Sequence, residues 1–271
     1  MPAMTITNIR TASAFSACVV LFRFILPSWG LADEPNRLTR EEEGEGFQLL
    51  FDGKSMDGWR NFKSETIRPE WKVEDGAMVL SAKGGGDLVT REAFGHFELR
   101  LEYSIGELGN SGIMFRVVED PAEKLPWRLA PEFQLYDSFN VKVSGDRSAG
   151  ALYGLVAAPQ DLAKPPGQWN QVRILLEPAG DGRDRLRCWL NGTRTVDLVV
   201  DHSPDSEWSK LIGQHNLGKA GTKYELPGGF FRAETGPILL QDHGARTAFR
   251  TIRIRELEAP EPEINRRLRR G

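Results

Sequence analysis

Apolar and polar residues alternate along many short stretches of the chain, and turn residues separate these stretches. From residue 97 to residue 103 the odd positions are apolar and the even positions are charged, which is typical of a strand with one buried and one solvated face. Asp75-Gly76 and Asn191-Gly192 fit two-residue hairpin turns. Further strands are predicted at 47–51, 71–74, 78–80, 113–118, 132–136, 172–177, 186–190, 195–200 and 249–257.

Helical periodicity is nearly absent. Residues 204–212 predict one short helix, with Ser203 or Asp205 near its N-terminal cap. Many short strands between Gly, Asn and Asp turns predict an all-β fold, namely an antiparallel β-sandwich of the jelly-roll type. Residues 46–258 suit one such domain, because sandwiches of roughly 200–250 residues are common.

Both ends of the chain differ from this domain. Residues 1–32 have the pattern of a secretory signal peptide, with an apolar run at 14–26 and small residues before Asp33. That run is shorter than the ~20 apolar residues that a spanning helix needs. We therefore expect a secreted or periplasmic protein without a transmembrane segment in the mature chain. Residues 33–45 are predicted to be a charged, solvated linker, and residues 259–271 a flexible tail.

Composition narrows the classes of function. The formal net charge of the full chain is −3, so nothing indicates a nucleic-acid partner. Cys188 is the only cysteine after position 32, which leaves no intramolecular disulfide in the mature chain. The sequence contains no phosphate-binding glycine loop, dinucleotide fingerprint or Gly-x-Ser-x-Gly elbow.

Three polar segments lie within or beside predicted strands, at 110–116, 132–137 and 240–244. Polar side chains at alternate strand positions share one face of a sheet. A face that displays carboxylates, carboxamides, an arginine and a histidine suits a sugar-sized polar ligand, so carbohydrate chemistry is the first hypothesis. The side chains concerned are Glu132, Gln134, Arg116, Gln241 and His243.

Each segment also has a purely structural interpretation. Glu132, Gln134 and Tyr136 fit an ordinary solvated strand face, and residues 110–112 fit a plain turn. Arg116 fits an ion pair with a carboxylate such as Glu132 or Asp137. His243 stands at a strand end, where its reference pKa of ~6.5 suits an acid or a base. The spacing of His, Asp and Glu residues does not define a set of metal ligands. The cofactor is therefore left open, and a divalent metal ion is one candidate.

Several short motifs together resemble a known family. They run in order from Leu50-Phe51-Asp52-Gly53 through the three polar segments to the final strand, and they span 47–257. The sequence resembles the 3-keto-disaccharide hydrolase family. This resemblance implies a concanavalin A-like jelly roll, as in laminin-G and lectin domains, and action on glycosides oxidised at C3. Two departures from the family are Ala130-Pro131 before the Glu-x-Gln segment and an insertion at 203–236.

The resemblance also implies a mechanism. A C3 ketone acidifies the C2 proton, a base removes that proton, and the enolate expels the C1 substituent before water adds back. Such a site needs a base, an acid and an enolate stabiliser. Glu132 and His243 are expected to be the base and the proton donor, in either order, and Arg116, Asn110 or a bound divalent cation would stabilise the enolate. The remaining predicted substrate-binding residues are Gln134, Asp137, Tyr153, Gln241 and Trp127.

The main alternative is a non-catalytic carbohydrate-binding module of the lectin or laminin-G type, and a structural surface protein is a third. Fold alone does not separate these functions. An enzyme would bring Glu132, Asp137, Arg116 and His243 into one pocket, whereas a lectin would display a shallow aromatic groove.

Overall fold

The computed structural model describes residues 34–143, 145–214 and 229–258, and these form two antiparallel sheets packed face to face. The two α-helices are α1 (Arg40–Gly44) and α2 (Glu207–Gln214). The strands are β1 (Gln48–Leu49), β2 (Trp59–Asn61), β3 (Trp71–Glu74), β4 (Ala77–Leu80), β5 (Leu88–Thr90), β6 (Phe97–Ile105), β7 (Asn110–Met114), β8 (Glu132–Tyr136), β9 (Asn170–Gly180), β10 (Arg183–Leu190), β11 (Thr193–Val200), β12 (Leu239–Leu240) and β13 (Thr247–Glu256).

The large sheet has the order β11-β10-β9-β6-β13-β4-β3, and β1 also pairs with β13. The small sheet has the order β2-β5-β12-β7-β8. Buried aromatic side chains from both sheets, among them Phe97, Phe133 and Phe249, fill the space between them. The predicted all-β sandwich is therefore confirmed. No helix in the described ranges is long and apolar enough to cross a membrane.

The predicted hairpin turns are present. Asp75 and Gly76 have φ values of 49° and 73°, and Asn191 and Gly192 have values of 49° and 82°. Two consecutive residues with positive φ match the right-handed twist of the flanking strands, which explains the Asp-Gly and Asn-Gly sequences. The turns join β3 to β4 and β10 to β11.

The charged face of β6 is only partly solvated. Glu98 is fully buried on the outer side of the large sheet, where it accepts hydrogen bonds from Arg173, Arg100 and Arg255. Burial alone would raise the pKa of Glu98, but these three guanidinium groups lower it to about 2. Strand alternation predicted which side chains point outward, but not that neighbouring strands would cover one of them.

The segment predicted as a solvated linker folds onto the large sheet instead. Thr39 and Glu42 form a reciprocal capping box at the start of α1. Glu42 is buried, with ion pairs of 2.7 Å to Arg253 and 3.3 Å to Arg100. Asn36 accepts a hydrogen bond of 2.8 Å from the backbone amide of Thr251. The predicted signal peptide and the predicted tail at 259–271 lie outside the described residues.

Two predicted boundaries move. Strand β7 ends at Met114 rather than near 118, because Arg116 has a φ of 51° that breaks the extended backbone. The predicted helix near 204–212 is present as α2, but its first turn is capped by neither Ser203 nor Asp205. Ser206 Oγ accepts the hydrogen bond from the amide of Ser209 at 3.0 Å.

Candidate active site

The outer face of the small sheet collects side chains from four neighbouring strands. Gln134 of β8 lies opposite Gly112 of β7, and the backbone amide of Gln241 donates to the carbonyl of Gly112 at 2.9 Å. The pairing of β12 with β5 extends to Asp87, one residue before β5. A single row of positions therefore crosses the sheet in the order Asp87, Gln241, Gly112, Gln134. Strand side chains alternate between the two faces of a sheet, so Phe133, Ile113 and Leu240 point into the core instead.

Glu132 occupies the space above Gly112. A Cβ atom built on Gly112 would lie 2.3 Å from Glu132 Oε1 and 2.7 Å from its Cγ, distances that a real Cβ does not tolerate. Only glycine therefore lets the Glu132 carboxyl lean across β7 toward Gln241. Glu132 is 7% exposed.

Two carboxyl groups on this face have displaced pKa values. Burial, with a contribution from the charge of Asp87, raises the pKa of Glu132 to about 8. Burial also raises the pKa of Asp87 to about 6. The hydrogen bond from the Asp242 amide opposes this rise, and the negative charge of Asp242 adds to it. At neutral pH Glu132 is therefore mostly a carboxylic acid and Asp87 mostly a carboxylate. Environments that separate two carboxyl pKa values in this way create an acid and a base in one site.

Carboxamides surround these carboxyls. The side-chain amide nitrogen of Gln134, turned to face acceptors, donates to Glu132 Oε1 at 3.1 Å and to the carbonyl of Ser111 at 3.2 Å. The Oε1 atom of Gln241 is buried and has no hydrogen-bond partner among the residues that the structure describes. A buried acceptor without a partner is rare in folded proteins, so Gln241 suits a ligand hydroxyl. Asn110 lies on the same strand face, opposite Tyr136.

Residues 150–153 continue the small sheet beyond β8. The amide of Tyr153 donates to the carbonyl of Glu132 and the amide of Gly150 donates to that of Gln134, each at 2.9 Å. This pairing places Tyr153 directly opposite Glu132 and on the same face of the sheet. Tyr153 is half-buried.

A covering segment, residues 117–131 (the strap), lies over the other part of the face. It encloses a small apolar cluster formed by Val89, Met114, Val117, Ala130 and Leu239, with Phe62 and Trp127 packed against it. The strap is anchored on β2, where Arg60 makes two hydrogen bonds to the Glu119 carboxylate. The strap leads directly into Glu132, and Met114 of this cluster lies opposite Glu132 in the sheet register.

Two predicted site residues have other roles. Arg116 donates to the carbonyl of Gly95 at 3.0 Å and to Asp184, so its expected pairing with Glu132 or Asp137 is wrong. Asp137 accepts hydrogen bonds from the amides of Leu108 (2.8 Å) and Asn140 (3.1 Å) and from the Asn140 side chain (3.0 Å). Burial would raise the pKa of Asp137, but these bonds lower it.

His243 is exposed and makes no hydrogen bond to Glu132. The expected Glu132–His243 acid–base pair is therefore not assembled. The structure instead places Asp87 on the same outer sheet face as Glu132, which sequence reasoning missed. The available signal was the run Gly84-Gly85-Gly86 just before Asp87, since consecutive glycines indicate a backbone of unusual geometry.

No three His, Cys, Asp or Glu side chains form a metal-binding group within the described ranges. A cleft of about 390 Å³ lies elsewhere, between residues 48–58 and 90–92. It contains none of the carboxyls and amides described above.

A β-sandwich with two carboxyls of displaced pKa and several carboxamides on one outer face is consistent with a carbohydrate-active enzyme. The particular family follows from the sequence match. A model of the 3-keto-alpha-glucoside-1,2-lyase-like domain matches residues 46–255, and the chain belongs to this family.

Similar proteins agree with this assignment. A protein of Bacteroides thetaiotaomicron named 3-keto-disaccharide hydrolase is 28% identical over 254 residues, covering 84% of each chain. A crystal structure of a proposed glycosyl hydrolase from Parabacteroides distasonis ATCC 8503 is 30% identical, with a TM-score of 0.69, and covers 83% of this chain and 100% of its own. A second structure from that organism is 24% identical, with a TM-score of 0.59, and shows the shared fold. The match covers 78% of this chain and 99% of the other.

Proposed function

We propose that this chain cleaves glycosides oxidised at C3, by elimination across C1 and C2 followed by hydration, with net hydrolysis of the glycosidic bond. Family membership and the name of the Bacteroides relative support the substrate class. The observation that carries the proposal is the buried Glu132 carboxyl, which lies over Gly112 and is protonated at neutral pH.

Glu132 is the proton donor in this scheme. A carboxylic acid with a pKa near the working pH is well suited to protonate the leaving glycosidic oxygen. The residue before it in the chain, Pro131, belongs to the strap, so the acid sits where the covered and open parts of the face meet. The C1–O bond therefore breaks beside a group that can neutralise the departing alkoxide.

The amides bind the sugar. Gln241 and Gln134 provide acceptors and donors for hydroxyl groups beside Glu132, and Tyr153 lies opposite it. The amide of Asn110, or a divalent cation, would stabilise the enolate oxygen. Trp127 provides an apolar surface for the ring of the sugar or of its aglycone.

The first test uses the purified protein with methyl 3-keto-glucoside, p-nitrophenyl 3-keto-glucoside and the unoxidised parent of each. We expect release only from the keto compounds. Glu132→Gln should lower methanol release by about 10²–10⁴-fold but spare p-nitrophenol, because that leaving group departs without protonation. Glu74→Gln, at an exposed ion pair with Arg246 on the other sheet, is the control and should leave both rates unchanged.

Two results would redirect the proposal. Release lost on addition of EDTA would show that a metal ion takes part. Saturable sugar binding without any release would instead indicate a carbohydrate-binding module.

Export belongs to the same proposal. A signal peptide at 1–32 would carry the enzyme to the periplasm or the medium. Mass spectrometry of the protein from its native host should give a mature N-terminus at Asp33. An intact N-terminus in the cytoplasmic fraction would contradict export.

A further inference from the structure

We propose that Asp87 is the base that removes the C2 proton, and that Asp242 is the residue that positions it. This inference rests on the proposed function. It assigns the second half of the acid–base pair, which neither the sequence motifs nor the similar proteins identify.

The sheet register brings Asp87 to the site. Asp87 stands in the same row as Gln241, and Gln241 stands beside Gly112, over which the Glu132 carboxyl lies. A sugar ring above Gln241 would thus have one carboxyl on each side. C1 and C2 are adjacent ring carbons, so an acid for the C1 oxygen and a base for the C2 proton must flank one bond.

Asp242 fixes the loop that carries Asp87. Its Oδ2 accepts from the amides of Gly86 at 2.8 Å and Gly84 at 3.2 Å, and its Oδ1 accepts from Gly244 at 2.8 Å. Its own amide donates to Asp87 Oδ1 at 2.8 Å. The Asp87 side chain therefore uses one oxygen for orientation and keeps Oδ2 for the reaction.

The carbonyl groups of the same loop are also satisfied. The Asn61 side chain donates to the carbonyls of Gly85 at 2.7 Å and Asp87 at 3.0 Å, and the Trp71 indole donates to that of Gly86 at 2.7 Å. A Cβ on Gly85 would lie 2.6 Å from the Leu80 side chain. The loop has one tightly packed conformation, as expected for a part that must hold a catalytic group in place.

The reaction balances without any added oxidant or reductant. Asp87 takes the C2 proton, the C–H electrons form the C1=C2 bond, and the C1–O electrons leave with the glycosidic oxygen, which takes the proton of Glu132. In hydration, the water oxygen bonds to C1 while Glu132 takes a proton from that water. Asp87 then returns its proton to C2. Both carboxyls regain their starting states.

The test follows two events in deuterium oxide, namely exchange of the C2 proton and release of methanol from methyl 3-keto-glucoside. Glu132→Gln should keep C2 exchange while losing release. Asp87→Asn, which retains an acceptor for the Asp242 amide, should lose both by about 10²–10⁴-fold. Asp181→Asn, in an exposed turn of the large sheet where φ is 52°, is the matched control.

Asp242 is tested by a pair of variants. Asp242→Ala removes two acceptor oxygens and the three hydrogen bonds that they accept, and it should lower C2 exchange strongly. Asp242→Asn keeps one acceptor oxygen and should retain more of the exchange. The charged groups around Asp87 are Asp242, Glu132 and Arg68, whose guanidinium bonds the carbonyl of Gly84. Loss of the Asp242 charge should therefore shift the acidic limb of the exchange profile to lower pH, which a purely structural residue would not do.

The outcomes separate the two proposals. C2 exchange that survives in Asp87→Asn, or that disappears in Glu132→Gln, would overturn the assignment while leaving the proposed function intact. A wild-type protein that neither exchanges C2 nor releases methanol would overturn both. An unchanged pH limb in Asp242→Asn, with the same melting temperature, would refute the positioning role.

Discussion

At the scale of single residues, Gly112 is as informative as the carboxyl that it accommodates. Strand glycines weaken a sheet unless another group needs the space, and here Glu132 takes it. The polar alternation of β8 placed Glu132 and Gln134 on one face. The sequence did not show that the position next to Glu132 on β7 would be a glycine without a side chain. That depends on how β7 pairs with β8.

We expect Gly112→Ala to displace the Glu132 carboxyl, since the new methyl group would overlap Oε1. Methanol release should fall about 10²-fold or more, because small misplacements of catalytic groups have effects of that size. Gly213→Ala, in α2 with no atom within 4 Å of the added Cβ, is the control. Equal activity in the two variants would argue against a fixed position for Glu132.

Glu132 should also make stability depend on pH. Its pKa is raised to about 8 in the folded state and is ~4.3 in an unfolded chain, so the folded state binds more protons between these values. This contribution is complete below about pH 4.3 and is lost as the pH rises through about 8. Urea unfolding at pH 5 to 9 should show stability falling by a few kcal/mol more in the wild type than in Glu132→Gln. Parallel curves would contradict the raised pKa.

At the scale of elements, the strap covers the apolar part of the outer face next to Glu132. It runs from the end of β7 to β2, where Arg60 holds Glu119, and returns to β8. The hydrogen bonds from Arg60, and to a lesser extent from the Lys63 amide, lower the pKa of Glu119 against the effect of its burial. We therefore expect this ion pair at one edge of the sheet to help keep water from the Glu132 carboxyl at the other edge.

Arg60→Gln should release the strap and let water reach Glu132. We expect stability to fall by about 1–2 kcal/mol, between the values for exposed and buried pairs, and the pKa of Glu132 to move down toward its ordinary value. The pH dependence of unfolding measures both effects. Arg91→Gln, at the exposed pair with Glu65, should change neither, and a similar effect in both variants would deny the strap this role.

At the scale of the whole molecule, the folded unit extends beyond the family match. That match begins at residue 46, but Glu42 and Asn36 contact the large sheet at Arg253, Arg100 and Thr251. These contacts explain why a highly charged segment folds. Its Glu42 carboxylate adds ion pairs to arginines on the outer face of the large sheet, which offsets the cost of holding those charges partly buried.

A protein beginning at residue 46 should therefore be less stable than one beginning at residue 34. The expected loss is a few kcal/mol, because the shorter chain leaves Arg253 and Arg100 without the Glu42 carboxylate. Urea unfolding compares the two, and a chain beginning at residue 36, which keeps Asn36 and α1, serves as the control. Equal unfolding midpoints for all three proteins would show that residues 34–45 add nothing to stability.

The sequence by itself determined the strands, the hairpin turns, the sandwich class and the outward placement of Glu132 and Gln134. These follow from alternation and turn chemistry, which act between residues close in the chain. Only the tertiary structure decided that Asp87, rather than His243 or Arg116, shares the outer sheet face with the Glu132 carboxyl. Neighbours across a sheet are set by strand order and register between distant segments, and the burial that separates two carboxyl pKa values exists only after those segments have packed.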